Sequence, residues 1–190
     1  MAASLGVGGY CVVRNPSSEW QRFRDVRLRA LVDAPESFGT TLVQERDYPD
    51  AAWIARAADE SSVRFVVLRA AEGPEEGVNC FGIARGAPYY DADDSSGGDD
   101  GEYTAGLFSM WVDPKGRGLG VGVALIDAVK AWAVENEYTQ ILLDVADSNL
   151  PAIGLYRRCG FLPTGVTGLA DPARSHLTEH QMRCELPAPS

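Results

Sequence analysis

The pattern of hydrophobic and polar positions predicts a chain in which strands and helices are interleaved. Short runs rich in valine, leucine and aromatic residues predict strands at 10–14, 63–70, 78–85, 107–112, 139–145 and 181–186. Apolar residues at helical spacing predict helices at 19–32, near 51–58, from 121 onwards and between the last two strands. Residues 165–175 follow neither pattern and are expected to form a loop. This order predicts an α+β fold, in which a mixed sheet carries helices on both faces.

A glycine-rich loop, residues 115–122, joins the apolar run at 107–112 to the helix that follows. Such a loop suits an anion, because unpaired backbone N–H groups and the helix dipole favour negative charge at a helix N-terminus. Two common phosphate loops are excluded by the glycine spacing, since neither GxxxxGK before Ser or Thr nor GxGxxG is present. The loop instead reads R-x-x-G-x-G from Arg117 to Gly122.

A second motif, N-x-x-A-x-x-L-Y-x-x-x-G-F, begins at Asn149, and the sequence Met-Trp-Val-Asp-Pro stands before the loop. With these motifs at this separation, residues 107–161 resemble the GNAT superfamily of acyl-CoA N-acyltransferases. The resemblance implies a GNAT-like, mostly antiparallel central sheet. It extends over about residues 10–186, so we expect residues 1–190 to form a single acetyltransferase domain.

The resemblance also implies a set of residues that bind acetyl-CoA as a co-substrate. Backbone groups at the end of a splayed strand would pair with the pantetheine arm, and Asn149 would hydrogen-bond near it. The loop N–H groups would hold the pyrophosphate, and Arg117 would add a positive charge beside it. The implied cofactor-binding residues are Met110, Trp111, Val112, Arg117, Gly118, Leu119, Gly120, Val121, Gly122 and Asn149.

Direct acyl transfer needs one group that protonates the departing thiolate and one that leaves the amine neutral. By the resemblance, Tyr156 would aim its hydroxyl at the thioester sulfur as the general acid. Asp144 is the first candidate base, because a carboxylate inside the apolar run ILLDVA is costly unless it is paired or functional. It also matches the catalytic glutamate of relatives that acetylate protein N-termini. Glu102 is the second candidate, and a chain of water molecules is the alternative to both.

Composition and charge restrict the class of protein further. With 190 residues, 45% of them hydrophobic, the chain is expected to fold as one soluble globular domain. Its net charge of -10 opposes nucleic-acid binding, which needs a basic surface, and is compatible with a cationic substrate. Six carboxylates at 91–102 predict a solvated, flexible loop. A membrane span and a signal peptide are both absent from the sequence, which favours a cytoplasmic protein without a membrane partner.

Metal binding is not expected. The four cysteines are scattered without a CxxC pair, which favours reduced thiols. His176, His180 and Cys184 are spaced by four, but Pro172 and the strand pattern at 181–186 argue against one helix that would hold all three.

The sequence therefore predicts an N-acetyltransferase that moves an acetyl group from acetyl-CoA to a primary amine, by direct attack in a ternary complex. A small cationic amine is favoured over a protein N-terminus or lysine, because the chain is acidic. The alternative is a non-catalytic domain that binds acyl-CoA as a sensor. A homodimer is expected from the resemblance alone.

Overall fold

The computed structural model describes residues 5–7, 9–69, 79–90, 104–169 and 177–187. The strands in these ranges are β1 (Leu5–Val7), β2 (Tyr10–Arg14), β3 (Val63–Arg69), β4 (Asn79–Pro88), β5 (Thr104–Val112), β6 (Gln140–Ala146), β7 (Leu162–Leu169) and β8 (Thr178–Glu185). The helices are α1 (Trp20–Asp33), α2 (Leu42–Arg46), α3 (Asp50–Ala57), α4 (Val121–Glu135) and α5 (Leu150–Arg158).

The described strands form one sheet in the order β1-β2-β3-β4-β5-β6-β8-β7. Neighbouring strands are antiparallel except β5 and β6, which run parallel and are connected by α4. A parallel pair requires such a crossover, because a tight turn can join only antiparallel strands. The predicted α+β fold with a mixed, mostly antiparallel sheet is confirmed.

Two hydrophobic clusters cover opposite faces of the sheet. Successive side chains of a strand point to opposite faces, and Val66 and Val67 of β3 accordingly belong to different clusters. The cluster of Val67 packs against α4 and α5 and includes the fully buried Leu125 and Phe161. The cluster of Val66 packs against α1 and α3 and includes Leu31. Helices thus cover both faces, as predicted.

The structure corrects the loop predicted at 165–175, because residues 165–169 belong to β7. This strand pairs with β8 at the edge of the sheet and is mostly exposed. It contains Pro163 and two glycines, which an edge strand tolerates because its outer N–H groups need no ladder partner. The strand therefore lacks the apolar run by which the other strands are recognised.

Two further elements are absent from the predicted order. One is β1, which has three residues. The other is α2, which begins with a capping box: Thr41 Oγ1 accepts a hydrogen bond from the Gln44 N–H, and the Gln44 side chain accepts one from the Thr41 N–H. The T-x-x-Q spacing is a helix-start signal that the sequence does contain.

The strands β5 and β6 separate part-way along their length. Their ladder covers residues 104–106 of β5 and 140–142 of β6, although β5 continues to Val112 and β6 to Ala146. The two strands therefore open a wedge, in which residues 107–112 of β5 have no ladder partner on the β6 side.

A β-bulge lies in β5 beside this wedge. Ile83 of β4 lies opposite Trp111. Arg85 lies opposite Phe108, so one residue of β4 faces two residues of β5. One of those two is Ser109, whose φ of 54° falls in the left-handed region that side chains rarely adopt. The bulge bends β5 where it parts from β6.

Candidate active site

A cavity of about 1110 Å³ occupies the wedge between β5 and β6. Its wall includes the end of β5, the glycine loop, the end of β6, the start of α5 and the segment 33–39 after α1. The predicted site residues on this wall are Met110, Trp111, Val112, Arg117, Gly118, Gly120, Gly122, Asp144, Asn149 and Tyr156. Leu119 is exposed on the same loop, and Val121 is buried in the core. The structure thus gathers most of the predicted residues around one space.

The glycine loop leaves the N-terminus of α4 open towards this cavity. The N-cap residue is Gly120, and no side chain in the described part of the chain caps the helix. Gly118 and Gly120 have φ values of 78° and 82°, which cost glycine nothing. A Cβ atom on Gly122 would lie 2.8 Å from Leu155 Cδ2, so α4 and α5 pack closely here. An uncapped, glycine-lined helix N-terminus on the cavity wall fits a pyrophosphate group.

Arg117 is held in place by protein groups. Its Nη2 donates a hydrogen bond to Asp33 Oδ2, and its Nε donates to the Val112 carbonyl oxygen at 3.0 Å. Asp33 Oδ2 also accepts from Trp111 Nε1 at 2.9 Å. Besides the charge that the sequence analysis assigns to it, Arg117 therefore joins the loop to α1 and β5.

Tyr156 lies on α5 with its ring centroid 5.9 Å from that of Phe161. The side chain is buried in the cluster beneath α4. Burial, with a smaller contribution from Cys159, raises the pKa of the phenol well above its ordinary value of 10. The hydroxyl therefore stays protonated at neutral pH, which suits a proton donor.

Asn149 caps the N-terminus of α5. Its Oδ1 accepts a hydrogen bond from the Ala152 N–H at 3.3 Å. Its Nδ2 donates to Ser37 Oγ at 3.4 Å, which ties α5 to the segment that follows α1. A contact between Asn149 and the pantetheine stays a prediction.

Asp144 is exposed, so the premise that it lies buried in an apolar strand is wrong. Leu143 and Val145 on either side point into the core, and the alternation of side chains turns Asp144 to the opposite direction. Its carboxylate lines the cavity and accepts a hydrogen bond from the Tyr89 hydroxyl at 2.9 Å.

Tyr89 is a site residue that the sequence analysis missed. Its hydroxyl accepts a hydrogen bond from Gln181 Nε2 at 3.2 Å, and its ring stacks on Phe108 at 6.1 Å. Gln181 lies opposite Asp144 in the β6–β8 ladder. Because Tyr89 and Asp144 are 55 positions apart, no local sequence pattern reveals their contact.

A buried ion pair joins α1 to α2 beside the cavity. Arg27 Nε and Nη2 donate to the two carboxylate oxygens of Glu45 at 3.1 and 2.9 Å. The same guanidinium donates to Thr40 Oγ1 and Ser109 Oγ and lies 4.2 Å above the ring centroid of Phe38. Burial opposes ionisation of Glu45, but the hydrogen bond and charge of Arg27 outweigh it, so the pKa of Glu45 is lowered.

Glu102, the acidic run at 91–102 and His176 lie outside the described residues. Within the described ranges, no group of three or more His, Cys, Asp and Glu side chains could hold a metal ion. None of the described helices has the length and apolar character needed to cross a membrane. The four cysteines, all of which the structure describes, form no disulfide.

Residues 25–161 match the acetyltransferase (GNAT) family. The chain belongs to this family. It is 39% identical to the N-acetyltransferase 8B of Homo sapiens over 59 residues. These residues make up 31% of this chain and 26% of that protein. It is 30% identical over 115 residues to an N-acetyltransferase 9-like protein of Caenorhabditis elegans, which covers 56% and 54% of the two chains. The chain thus spans about a quarter to a half of the length of these curated relatives.

Solved structures of the GNAT family share the fold. The yncA protein of Salmonella typhimurium, solved with its cofactor acetyl-CoA, has a TM-score of 0.71 at 15% identity, over 95% of this chain and 96% of that one. A spermidine N-acetyltransferase of Vibrio cholerae, solved with CoA and spermine, has a TM-score of 0.67 at 15% identity, over 93% and 95%. A nourseothricin acetyltransferase has a TM-score of 0.54 at 26% identity, over 68% of each chain.

Proposed function

We propose that this chain is an N-acetyltransferase that transfers the acetyl group of acetyl-CoA to a primary amine. The observation that carries the proposal is that the uncapped glycine loop, the unpaired edge of β5 and Tyr156 meet at one cavity. The amine would attack directly while both substrates are bound, so no residue of the protein would be acylated.

The cavity wall offers groups for the pyrophosphate and for the pantetheine arm of acetyl-CoA. When bound, acetyl-CoA supplies a thioester that is already activated towards amines. The pyrophosphate would lie at the N–H groups of residues 118–122, beside Arg117. The pantetheine arm would pair with backbone groups of residues 110–112, which have no ladder partner on that side. Asn149 would turn its Nδ2 group from Ser37 to the pantetheine.

Two side chains would move protons. Tyr156 would donate its hydroxyl proton to the departing thiolate, since burial keeps that hydroxyl protonated. Asp144 would accept a proton from the incoming amine through a water molecule, because its side chain is short. Tyr89 would hold the Asp144 carboxylate in position for this transfer. Glu102 remains the second candidate for the base.

The acceptor is proposed as a primary amine in the same cavity. Of the residues that the structure describes, four carboxylates and four arginines line it: Asp33, Glu36, Asp144 and Glu179, and Arg27, Arg85, Arg117 and Arg158. The cleft is thus balanced, although the whole chain has a charge of -10. The preference for a small cationic amine is supported by the relatives named for spermidine and streptothricin, whereas the balanced charges of the cleft neither add to it nor oppose it.

The proposal is tested by two measurements on the full chain. Thermal unfolding is followed with acetyl-CoA, with CoA and with a panel of primary amines, because a ligand of the folded state raises its apparent stability. Thiol release from acetyl-CoA is then measured with each amine. Stabilisation by acetyl-CoA and amine-dependent thiol release are the expected results. Stabilisation without turnover for any amine would favour an acyl-CoA sensor, and no stabilisation by either CoA form would contradict the site.

A further inference from the structure

A second cavity, of about 320 Å³, lies on the α1 face of the sheet and is here named the arginine cavity. Residues of α1, α2, α3, β3, β4 and β5 line it. Four residues line both this space and the larger cavity: Arg27, Gly39, Arg85 and Ser109. The arginine cavity therefore adjoins the proposed active site, on a part of the wall that does not include the glycine loop.

Positive charges outnumber negative charges among the described residues of the arginine cavity. Its wall includes four arginines and two carboxylates: Arg27, Arg56, Arg64 and Arg85, and Glu45 and Asp59. Among the described residues of this wall, the positive charges exceed the negative charges by two. Glu45 pairs with Arg27 at 2.9 Å and lies 3.9 Å from Arg56, so Asp59 is the described carboxylate of this wall that remains for Arg64 and Arg85.

Arg64 is the most isolated of these cations. It is 8% exposed, and no hydrogen-bond acceptor of the described residues pairs with its guanidinium. The guanidinium lies 5.7 Å from the ring centroid of Phe23, a contact that leaves its N–H donors unused. A desolvated cation with unused donors is unfavourable unless an anion binds to it.

Arg85 adds to this excess, because it lies directly opposite Arg64 in the β3–β4 ladder. Its Nη2 is 3.9 Å from Asp59 Oδ2, and its Nε is buried without a hydrogen bond to any described residue. Asp59 already accepts hydrogen bonds from Ser61 Oγ at 2.6 Å and Ser62 Oγ at 2.9 Å. This single carboxylate does not compensate two guanidinium groups.

Both arginines remain cationic at neutral pH. Burial and the charge of Arg85 lower the pKa of Arg64 to about 10, and burial also lowers the pKa of Arg85. A pKa near 10 still leaves the group protonated at pH 7. The protein therefore keeps two opposed, partly desolvated cations beside the proposed active site.

We propose that Arg64 and Arg85 form an anion-binding subsite that holds a carboxylate or phosphate group of the acceptor. The guanidinium fork matches both groups, because it presents parallel N–H donors to two oxygen atoms. Arg85 lines both cavities, so an anionic group would enter across the wall that they share. Resting on the proposed function, this inference assigns the acceptor to amines that also carry an anion, such as amino acids and peptides.

The subsite is tested first without any reaction. Thermal unfolding of the full chain is measured in inorganic phosphate and in sodium chloride at matched ionic strength. Phosphate is expected to raise Tm beyond the effect of chloride in the wild type and in the control Arg46→Gln, an exposed arginine of α2. The part of that rise due to the subsite should be lost in Arg64→Gln. An equal phosphate effect in wild type and Arg64→Gln would place the ion elsewhere, such as the glycine loop, and would overturn the subsite.

The same variant separates a binding role from a structural one. Without phosphate, Arg64→Gln is expected to unfold at a Tm no lower than that of the wild type, because it removes one of two opposed charges. A large fall in Tm would make Arg64 a structural residue and overturn the proposal. Arg64→Lys keeps the charge without the fork, and we expect it to retain part of the phosphate effect.

The source of the anion is tested with matched acceptors, an amino acid and its carboxamide, which differ in the carboxylate. The wild type is expected to prefer the carboxylate by about tenfold or more in kcat/KM, and Arg64→Gln should bring the ratio close to one. A phosphate effect that depends on Arg64, with a ratio that does not, would assign the subsite to a free anion and overturn the acceptor class. If no amine is acetylated, the proposed function fails, while the phosphate titration still decides the subsite.

Discussion

Asp33 at the end of α1 accepts hydrogen bonds from Arg117 of the glycine loop and from Trp111 of β5 through a single oxygen, Oδ2. Residues from three separate elements thus meet at one carboxylate. These hydrogen bonds hold the glycine loop against β5, although Asp33 itself has no role in the proposed acetyl transfer.

We expect Asp33→Asn to weaken acetyl-CoA binding while the chemical step is kept. The substitution removes the negative charge that holds Arg117 in place. Because a partly exposed ion pair contributes little free energy, KM for acetyl-CoA should rise by only about threefold. The kcat value should change by less than about twofold. Asp25→Asn, an exposed position of the same helix, is the matched control. An unchanged KM would mean that the loop does not need this anchor.

Gly120→Glu is expected to abolish acetyl-CoA binding without unfolding the protein. The substitution puts a negative side chain at the proposed pyrophosphate site, and the φ of 82° adds about 1 kcal/mol of backbone strain. Gly120→Ala carries the same strain without the charge and should keep much of the binding. Calorimetric titration with acetyl-CoA and far-UV circular dichroism measure the two effects. Tight binding by the glutamate variant would refute the loop assignment.

Tyr156→Phe should lower kcat by about a hundredfold and leave the affinity for acetyl-CoA nearly unchanged. It removes the proposed proton donor, and general acid catalysis typically contributes a factor of this size. Tyr138→Phe is a suitable control, because Tyr138 packs at the edge of the same cluster but does not line the cavity. Steady-state thiol release with the best amine, measured at varied acetyl-CoA concentration, gives kcat and the KM for acetyl-CoA. Normal turnover in Tyr156→Phe would exclude this residue as the acid.

Asp144→Asn is expected to lower kcat/KM for the amine by about tenfold or more, because a carboxamide cannot accept the proton of the amine. Tyr89→Phe should lower the same quantity less, because it removes the hydrogen bond at 2.9 Å but keeps the carboxylate. The measurement is the pH profile of kcat/KM for the three proteins. If the profile of Asp144→Asn matches that of the wild type, the base is another group.

The ion pair of Arg27 and Glu45 predicts how stability depends on pH. The pKa of Glu45 is lowered in the folded state from its ordinary value of 4.5. Its contribution to stability is therefore complete above about pH 4.5 and is lost as the pH falls towards the folded-state value. Glu45→Gln leaves Arg27 buried without its counter-charge and should cost about 3 kcal/mol or more at pH 7. Urea unfolding at pH 7 and pH 4 should show that the cost shrinks in acid, and Glu60→Gln, at an exposed site, should show no such change.

The sequence pattern predicts β2 at its observed bounds and α3 to within a residue, because both carry regular apolar spacing. It fails at β7, where exposure at the edge of the sheet removes the need for apolar residues. Motifs locate the glycine loop and Tyr156, since their spacing is local. The contact of Tyr89 with Asp144 and the opposition of Arg64 and Arg85 depend on strand register, which no short segment encodes.

The bulge at Ser109 interrupts the regular alternation of side chains along β5. Leu107 and Trp111 are four residues apart and would share a face in a regular strand, yet Leu107 belongs to the cluster under α4 and Trp111 to the cluster under α1. The extra residue thus shifts the alternation of side chains by one position, so that the residues after the bulge point to the other face of the sheet. Inserting one further residue here would shift the alternation again and turn Trp111 towards the α4 face, away from Asp33. The length of this short segment is therefore as constrained as the identity of any residue in the cavity.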